Sequence, residues 1–376
     1  MTLPRTAISV LFGGPSPEHD VSLVSGRAIA TALIDRGHPV SAWLIDLEAR
    51  WWHLPLGALD AALPTSAFRA PAALGAGSPL NAAAALDALA AEDPRPVIFP
   101  AIHGPFGEDG QLQALLESAH LVYCGSGPAA SAVGMDKSIF KRICGALELP
   151  VLPWMEVRAR EYAADPERIE TELLDFCDTL PDRRLICKPA RLGSSIGISI
   201  VHRPHERADL RAALELALGH DELALVEPYL DHPRELETSV LGNTRADSLA
   251  FGPGEVLPGR EFYDYIAKYQ SDDSVTLEQA DIELDLAADI RAAAVEVFLA
   301  IRASGFARVD MLLSSDGIPF ISEINTIPGF TPISLFPRMT ALGGFDFAAT
   351  CERIVELALE QASDRPRPRR GADDLP

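Results

Sequence analysis

Residues 308–334, RVDMLLSSDGIPFISEINTIPGFTPIS, bring together side chains whose types and spacing suit metal and oxyanion chemistry: Arg308, Asp310, Glu323 and Asn325. Asp316-Gly317 is the dipeptide that a type I′ hairpin favours, because both central residues of that turn need φ > 0. With that turn, Asp310 falls opposite Glu323 and Arg308 opposite Asn325, and two-residue alternation puts all four on one face. Carboxylates facing each other across a ladder repel unless a cation lies between them. Asp310, Glu323 and Asn325 offer only oxygen ligands, which suits Mg²⁺ or Mn²⁺ completed by water and phosphate oxygens. A solvated hairpin face is the plainer alternative, but the flanking VDMLL and PFISEI runs point to a half-buried one. Beyond the second strand, two prolines end the ladder and Gly329 permits close backbone approach. Its amide beside the Arg308 guanidinium would form an oxyanion site, and the combination suggests acyl-phosphate chemistry.

These groups need strands and turns to place them, and the chain supplies several. Residues 7–12 form an apolar strand that breaks at Gly13-Gly14 before a helix whose first turn carries Glu18 and Asp20. Acids there suit the helix dipole, and a glycine turn at a strand's carboxyl end is also where α/β sheets bind ligands. Residues 97–102 form another strand, ending at His103-Gly104. The strands 185–189 and 198–202 flank the loop Ala190-Arg191-Leu192-Gly193-Ser194-Ser195-Ile196-Gly197, which has small residues, two hydroxyls and the preceding Lys188 for holding phosphate. No G-K-[ST] follows, so it is not a Walker A loop. The string GSGPAA at residues 125–130 mimics a dinucleotide fingerprint, but no acidic residue ends a strand about twenty residues on, and it reads as a tight turn with Pro128 opening a helix. The HLVYC run before it reads as a strand. Residues 50–96 are rich in Ala, Pro and Leu, with a helix expected over 81–92 and no evident chemistry. Longer helices are expected over 281–304 and 345–362. Residues 261–275 are polar and aromatic, as in a mobile lid.

The 376 residues are enough for two or three domains, and 32 basic against 54 acidic side chains (net −22) argue against a large nucleic-acid footprint. No apolar run is long enough to span a membrane, the N-terminus lacks a signal peptide's layout, and five scattered cysteines suit a reducing cytoplasm.

Motifs in order along nearly the whole chain resemble those of D-alanine–D-alanine ligases of the ATP-grasp superfamily: GGPSPEHDVS, AIHGPFGEDG, MDK at 135–137, KPARLGSSIG, FYDYIAKY, and RVD followed by SEINTIPGFT. The resemblance implies a three-domain ATP-grasp fold of α/β and α+β parts. The N-terminal open parallel-sheet domain would span 1–125, the central domain 126–227 and the C-terminal catalytic domain 228–362, with a disordered tail over 363–376. It implies two D-alanines and ATP as substrates, Mg²⁺ or Mn²⁺ at Asp310, Glu323 and Asn325, no nucleic-acid or membrane partner, a cytoplasmic location and a homodimer. By the same resemblance Glu18 holds the first ammonium, and His103 orients or deprotonates the second amine. Lys137, Lys188, Ser195 and Lys268 meet phosphates, with Lys268 also on the substrate side, while Glu227, Tyr229, Leu230 and Glu235 hold the adenosine. Arg308 and Gly329 form the oxyanion site, Ser334 and Leu335 hold the second carboxylate, and Tyr269 bridges to Ser194 and Glu18 when the lid closes. Relatives that form esters carry histidine near the position of Tyr269, so tyrosine favours an amine as second nucleophile. A related ligase using D-serine, D-lactate or another second substrate is the alternative.

Overall fold

The computed structural model describes residues 4–257 and 275–364. Lys268, Tyr269 and the rest of the expected lid over 261–274, and the tail from 365 onward, lie outside the described residues.

The N-terminal sheet contains β1 (Ile8–Gly13), β2 (Val40–Ile45), β3 (Trp51–Leu54) and β4 (Val97–Ala101) in the order β3-β2-β1-β4. Both neighbours of β1 run parallel to it, and β3 is an antiparallel edge. β1 is buried throughout, which is why it reads as an unbroken apolar run. The helices α1 (His19–Asp35), α2 (Ala82–Ala91) and α3 (Gln111–Ser118) complete this unit. α2 is capped by the Asn81 side chain, which accepts from the Ala84 amide. The run 120–124 contributes a single bridge, Ile98 to Tyr123, in place of the expected strand. His120 at φ 54 ends the α3 turn and Gly125 at φ 94 starts the next, leaving no length for a ladder.

Helices α4 (Pro128–Met135) and α5 (Lys137–Ala146) follow. Chain order assigns them to the expected central domain, but Ala130, Phe140 and Cys144 share a core with Val309, Ile321 and Ile324 of the C-terminal sheet. The central sheet contains β5 (Met155–Arg158), β6 (Leu185–Pro189), β7 (Ser199–Val201) and β8 (Leu223–Pro228) in the antiparallel order β5-β8-β6-β7. It packs against α7 (Pro166–Asp178), which follows the short α6 (Ala159–Ala164), and against α8 (Arg207–Leu218).

The C-terminal sheet contains β9 (Arg234–Gly242), β10 (Leu249–Leu257), β11 (Val275–Leu277), β12 (Gly305–Leu313) and β13 (Pro319–Asn325) in the order β11-β10-β9-β12-β13. Helix α9 (Leu284–Ala300) covers its core face, and α10 (Leu335–Leu342) and α11 (Phe347–Asp364) close the chain. The pairing of Asp310 with Glu323 and of Arg308 with Asn325 is as the sequence predicts, but the turn is not. Only Gly317 has positive φ, and its amide donates to Ser314 O at 3.0 Å, so the connection is a three-residue loop ending in a left-handed glycine. That loop shifts the register by one, pairing Met311 with Ile321. A bulge at Ser322 shifts it back. The bulge also lets Ile321 and Ile324, three residues apart, both reach the core while Glu323 and Asn325 stay on the other face.

Helix α11 returns to the N-terminal sheet, where Cys351, Ile354 and Val355 join a core with Ile8, Val10 and Phe12. Phe330 lies inside this shared core, its ring centroid 6.1 Å from Phe99, 5.9 Å from Phe306, 5.4 Å from Phe336 and 5.5 Å from Phe347. N- and C-terminal parts are therefore held by one aromatic cluster. Phe330→Ala is expected to lower stability by about 3–5 kcal/mol in denaturant unfolding followed by intrinsic fluorescence, with both parts unfolding in a single earlier transition.

Candidate active site

The N-terminal, central and C-terminal parts all deliver residues to one cavity of about 1150 Å³. Its floor is the face of β9, β12 and β13 opposite the core. On β12 the odd-numbered side chains from Ala307 to Leu313 are buried and Arg308, Asp310 and Leu312 point into the cleft. Asp310 pairs with Glu323 on one side and Glu237 on the other. The Arg308 guanidinium donates from Nε and Nη2 to the two Asp310 oxygens, each at 2.6 Å, and lies 3.4 Å from Glu237. Asn325 Nδ2 donates to Asp310 at 2.9 Å. Burial works against the Arg308 charge, but Asp310 and Glu237 outweigh it and hold its pKa well above the ordinary value. Glu237 was not singled out by the sequence, because RELETS reads like any strand alternating toward solvent.

Cations face this floor from α5 and β6. Asp136 caps α5 by accepting from the Ile139 amide, which fixes Lys137 as the first helical residue. Lys137 Nζ lies 3.1 Å from Glu323 and donates to Leu192 O at 2.9 Å, so it ties the glycine-serine loop to the carboxylate face. Lys188 Nζ is 2.7 Å from Glu227 Oε2, and Glu227 Oε1 is 2.8 Å from Lys141 Nζ. Glu227 thus forms ion pairs with both lysines and also lines the cavity. Lys141 is a second residue that sequence spacing missed, since a lysine one turn after Lys137 reads as surface. Tyr229, Leu230 and Glu235 line the same cavity. The Tyr229 amide donates to Arg184 O at 3.0 Å and its ring packs under the Arg184 guanidinium at 5.1 Å.

The loop after β6 bends over the cavity with Ser194 and Ser195 both left-handed, at φ 54 and 55. Ser194 is buried and its hydroxyl donates to Glu18 of the N-terminal part. Ser195 also lines the cavity. His103 is fully engaged: Nδ1 is 2.8 Å from Ile327 O, Nε2 is 2.8 Å from Ser25 Oγ, and its amide donates to Ser22 Oγ. A ring that donates from Nδ1 to a carbonyl accepts at Nε2, and burial lowers its pKa, so the imidazole is neutral with no free lone pair. That argues against deprotonation of an amine by His103 and makes it a brace between the N-terminal sheet and residue 327. Glu108, within the AIHGPFGEDG string, braces the same place. It accepts from the Gly104 amide at 2.6 Å and the Ile327 amide at 3.0 Å. Burial and the nearby Glu18 push its carboxyl up to about 8.

Gly329 lines the cavity, and among the described residues its amide has no hydrogen-bond partner. Ser334 precedes α10, where its hydroxyl accepts from the Thr331 amide at 3.0 Å, and Leu335 is the first residue of that helix. The segment 56–74, three short 3₁₀ turns between β3 and α2, also reaches the site. Arg69 lies 2.9 Å from Asp20, and Thr65 lines the cavity beside Glu18. The GSGPAA turn instead lets two backbones meet: a side chain on Gly305 would come within 2.9 Å of the Gly125 amide.

Two family models match this chain, "D-ala D-ala ligase N-terminus" over residues 7–126 and "D-ala D-ala ligase C-terminus" over residues 143–356. A D-alanine–D-alanine ligase of Chlorobaculum tepidum is 36% identical over 374 residues, covering 96% of this chain and 99% of the relative. One of Kineococcus radiotolerans is 39% identical over 379 residues, covering 95% and 98%. Among solved structures, the D-alanine-D-alanine ligase of Coxiella burnetii superposes with a TM-score of 0.78 at 27% identity, covering 96% of each chain. VanG D-Ala:D-Ser ligase of Enterococcus faecalis superposes with a TM-score of 0.77 at 28% identity, covering 94% of this chain and all of that one.

The placement of Glu18 depends on Gly104, at φ 75, where an added Cβ would lie 2.3 Å from Glu18 Oε2. Gly104→Ala is expected to displace Glu18 from Ser194 and to cost about 1–3 kcal/mol in denaturant unfolding, with unchanged far-ultraviolet circular dichroism.

Proposed function

Because the chain belongs to the D-alanine–D-alanine ligase family, we propose that it joins two D-alanines at the expense of ATP. The observation that carries this reading is the meeting of three kinds of group in one cavity: Glu18, the lysines Lys137 and Lys188, and the Arg308–Asp310 floor with Gly329. In the first step a carboxylate oxygen of one D-alanine attacks the γ-phosphorus of ATP and ADP leaves. In the second, the amine of another D-alanine attacks the acyl carbon, loses a proton and expels phosphate, forming the peptide bond.

Glu18 holds the first ammonium and keeps its carboxylate turned to the phosphate end. Lys137 and Lys188 neutralise phosphate charge, a role shared with Lys268, and Ser195 lies on the loop beside them. Arg308, with Nε and Nη2 committed to Asp310, presents its remaining donors together with the Gly329 amide to the oxyanion of the second step. The Leu335 amide and Ser334 hydroxyl at the start of α10 take the second carboxylate. The bridge from Tyr269 to Ser194 and Glu18 that the resemblance implies lies outside the described residues. His103 and Glu108 hold residue 327 in place.

The donor set of the floor fits Mg²⁺ or Mn²⁺. Asp310, Glu323 and Asn325 are neighbours on one face, and their ligating atoms are all oxygens. Among the described residues no three His, Cys, Asp or Glu side chains are grouped to hold a metal, so Asp310, Glu323 and Asn325 together would hold such an ion. When bound it supplies charge neutralisation to the transferring phosphoryl group.

Phosphate release from ATP and Mg²⁺ tests this reading, with D-alanine alone, with L-alanine, and with D-alanine plus D-serine or D-lactate, the products identified by mass. Release with D-alanine alone and a D-alanyl-D-alanine product is expected. Turnover only with a mixed pair would overturn the choice of second substrate, and none with any pair would overturn the ligase reading.

A further inference from the structure

Lys141 is 1% exposed and does not line the cavity; burial lowers its pKa and the Glu227 carboxylate works against that shift. Its ammonium lies 2.8 Å from Glu227 Oε1 and 5.4 Å over the Trp154 ring. Glu227 holds Lys188 through its other oxygen at 2.7 Å, and these two residues do line the cavity. The groups facing Glu227 are Lys141 from α5 and Lys188 from β6, while Cys144 near Lys141 has its thiol pushed up to about 12 by burial and is neutral. The three side chains sum to one net positive charge. In a buried place such a charge is costly unless an anion accompanies it. The cavity admits that anion at Lys188, which on the reading above is the nucleotide phosphate.

We propose that Lys141 is a positioning residue for the nucleotide: it holds the Glu227 carboxylate from behind, so that Lys188 is oriented by Glu227 yet keeps its positive charge available to a phosphate. Without Lys141, Glu227 and Lys188 close into a neutral pair and the site loses one unit of charge toward its anion. Lys141 also helps keep Glu227 ionised. Burial favours the protonated carboxyl, and the two lysines reverse this and hold its pKa below the ordinary carboxylate range. With one lysine removed the carboxyl pKa rises, and Lys188 loses its anchor as the pH falls.

The test is direct binding of a non-hydrolysable ATP analogue with Mg²⁺ to the full chain from pH 5 to 9, for the wild type and for Lys141→Met, Lys141→Gln and Lys141→Arg. At pH 7 the Met and Gln variants are expected to bind about 30-fold more weakly and to weaken further toward pH 5, where the wild type stays level. Lys141→Arg, which keeps the charge, should recover most of the affinity, and KM for D-alanine should not move with any of them. Wild-type affinity and pH profile in a folded Met or Gln variant would overturn the proposal. So would a loss that arginine fails to restore and that carries no pH dependence, which marks a packing residue. Binding does not depend on turnover, so a chain that binds the analogue but makes no dipeptide refutes the substrate reading and leaves Lys141 standing.

Discussion

Three carboxylates on adjacent strands, Glu237, Asp310 and Glu323, face one cavity side by side, and their mutual repulsion is the constraint around which the site is arranged. Arg308 answers it from within the same strand and Lys137 from α5. Neither cation sits there by chance of surface packing. Arg308 is locked by two short bonds to Asp310, and Lys137 is fixed by the Asp136 cap at the start of its helix. On the proposed reading, such a face would suit a ligand that brings both a cation for the carboxylates and anionic oxygens for the lysines, the charge pattern of a metal-bound nucleotide.

The constraint extends to the rest of the fold because the groups come from separate sheets that must meet within hydrogen-bond tolerance. Ser194 reaches from the central sheet to Glu18 of the N-terminal part. His103 and Glu108 reach from the N-terminal part to the carbonyl and amide of Ile327, two residues before Gly329. The Phe330 cluster then fixes the same segment from the core side. Gly329 is thus held between polar braces on one side and aromatic packing on the other, which is how an irregular, proline-interrupted segment can present one amide reliably.

Much of this was legible from residue types. The strand ends at Gly13-Gly14 and His103, the loop after Lys188 and the face carrying Arg308, Asp310, Glu323 and Asn325 all follow from periodicity and turn chemistry. The hairpin register came out right through two irregularities that cancel, a three-residue loop and the Ser322 bulge, and no pattern in SSDGIPFISE announces either. Glu237 and Lys141 were missed because a charged residue on an alternating strand or one helical turn from another lysine looks solvated until the facing element is known. The packing of α4 and α5 on the C-terminal sheet was hidden for a related reason: an apolar helix face does not say which sheet it will cover. The resemblance supplied roles for Glu18, Ser334 and Leu335 that their own sequence surroundings do not imply.

The most direct measurement is the melting temperature of the full chain with a non-hydrolysable ATP analogue, with Mg²⁺ and with chelator, for the wild type and Asp310→Asn. If the carboxylate floor takes the metal and the lysines take the phosphates, analogue and Mg²⁺ together raise the wild-type Tm well beyond the sum of their separate effects. Chelator then removes most of the gain, and Asp310→Asn shows little of it under either condition. An equal rise in Tm with Mg²⁺ and with chelator, or a rise undiminished in Asp310→Asn, would contradict the account.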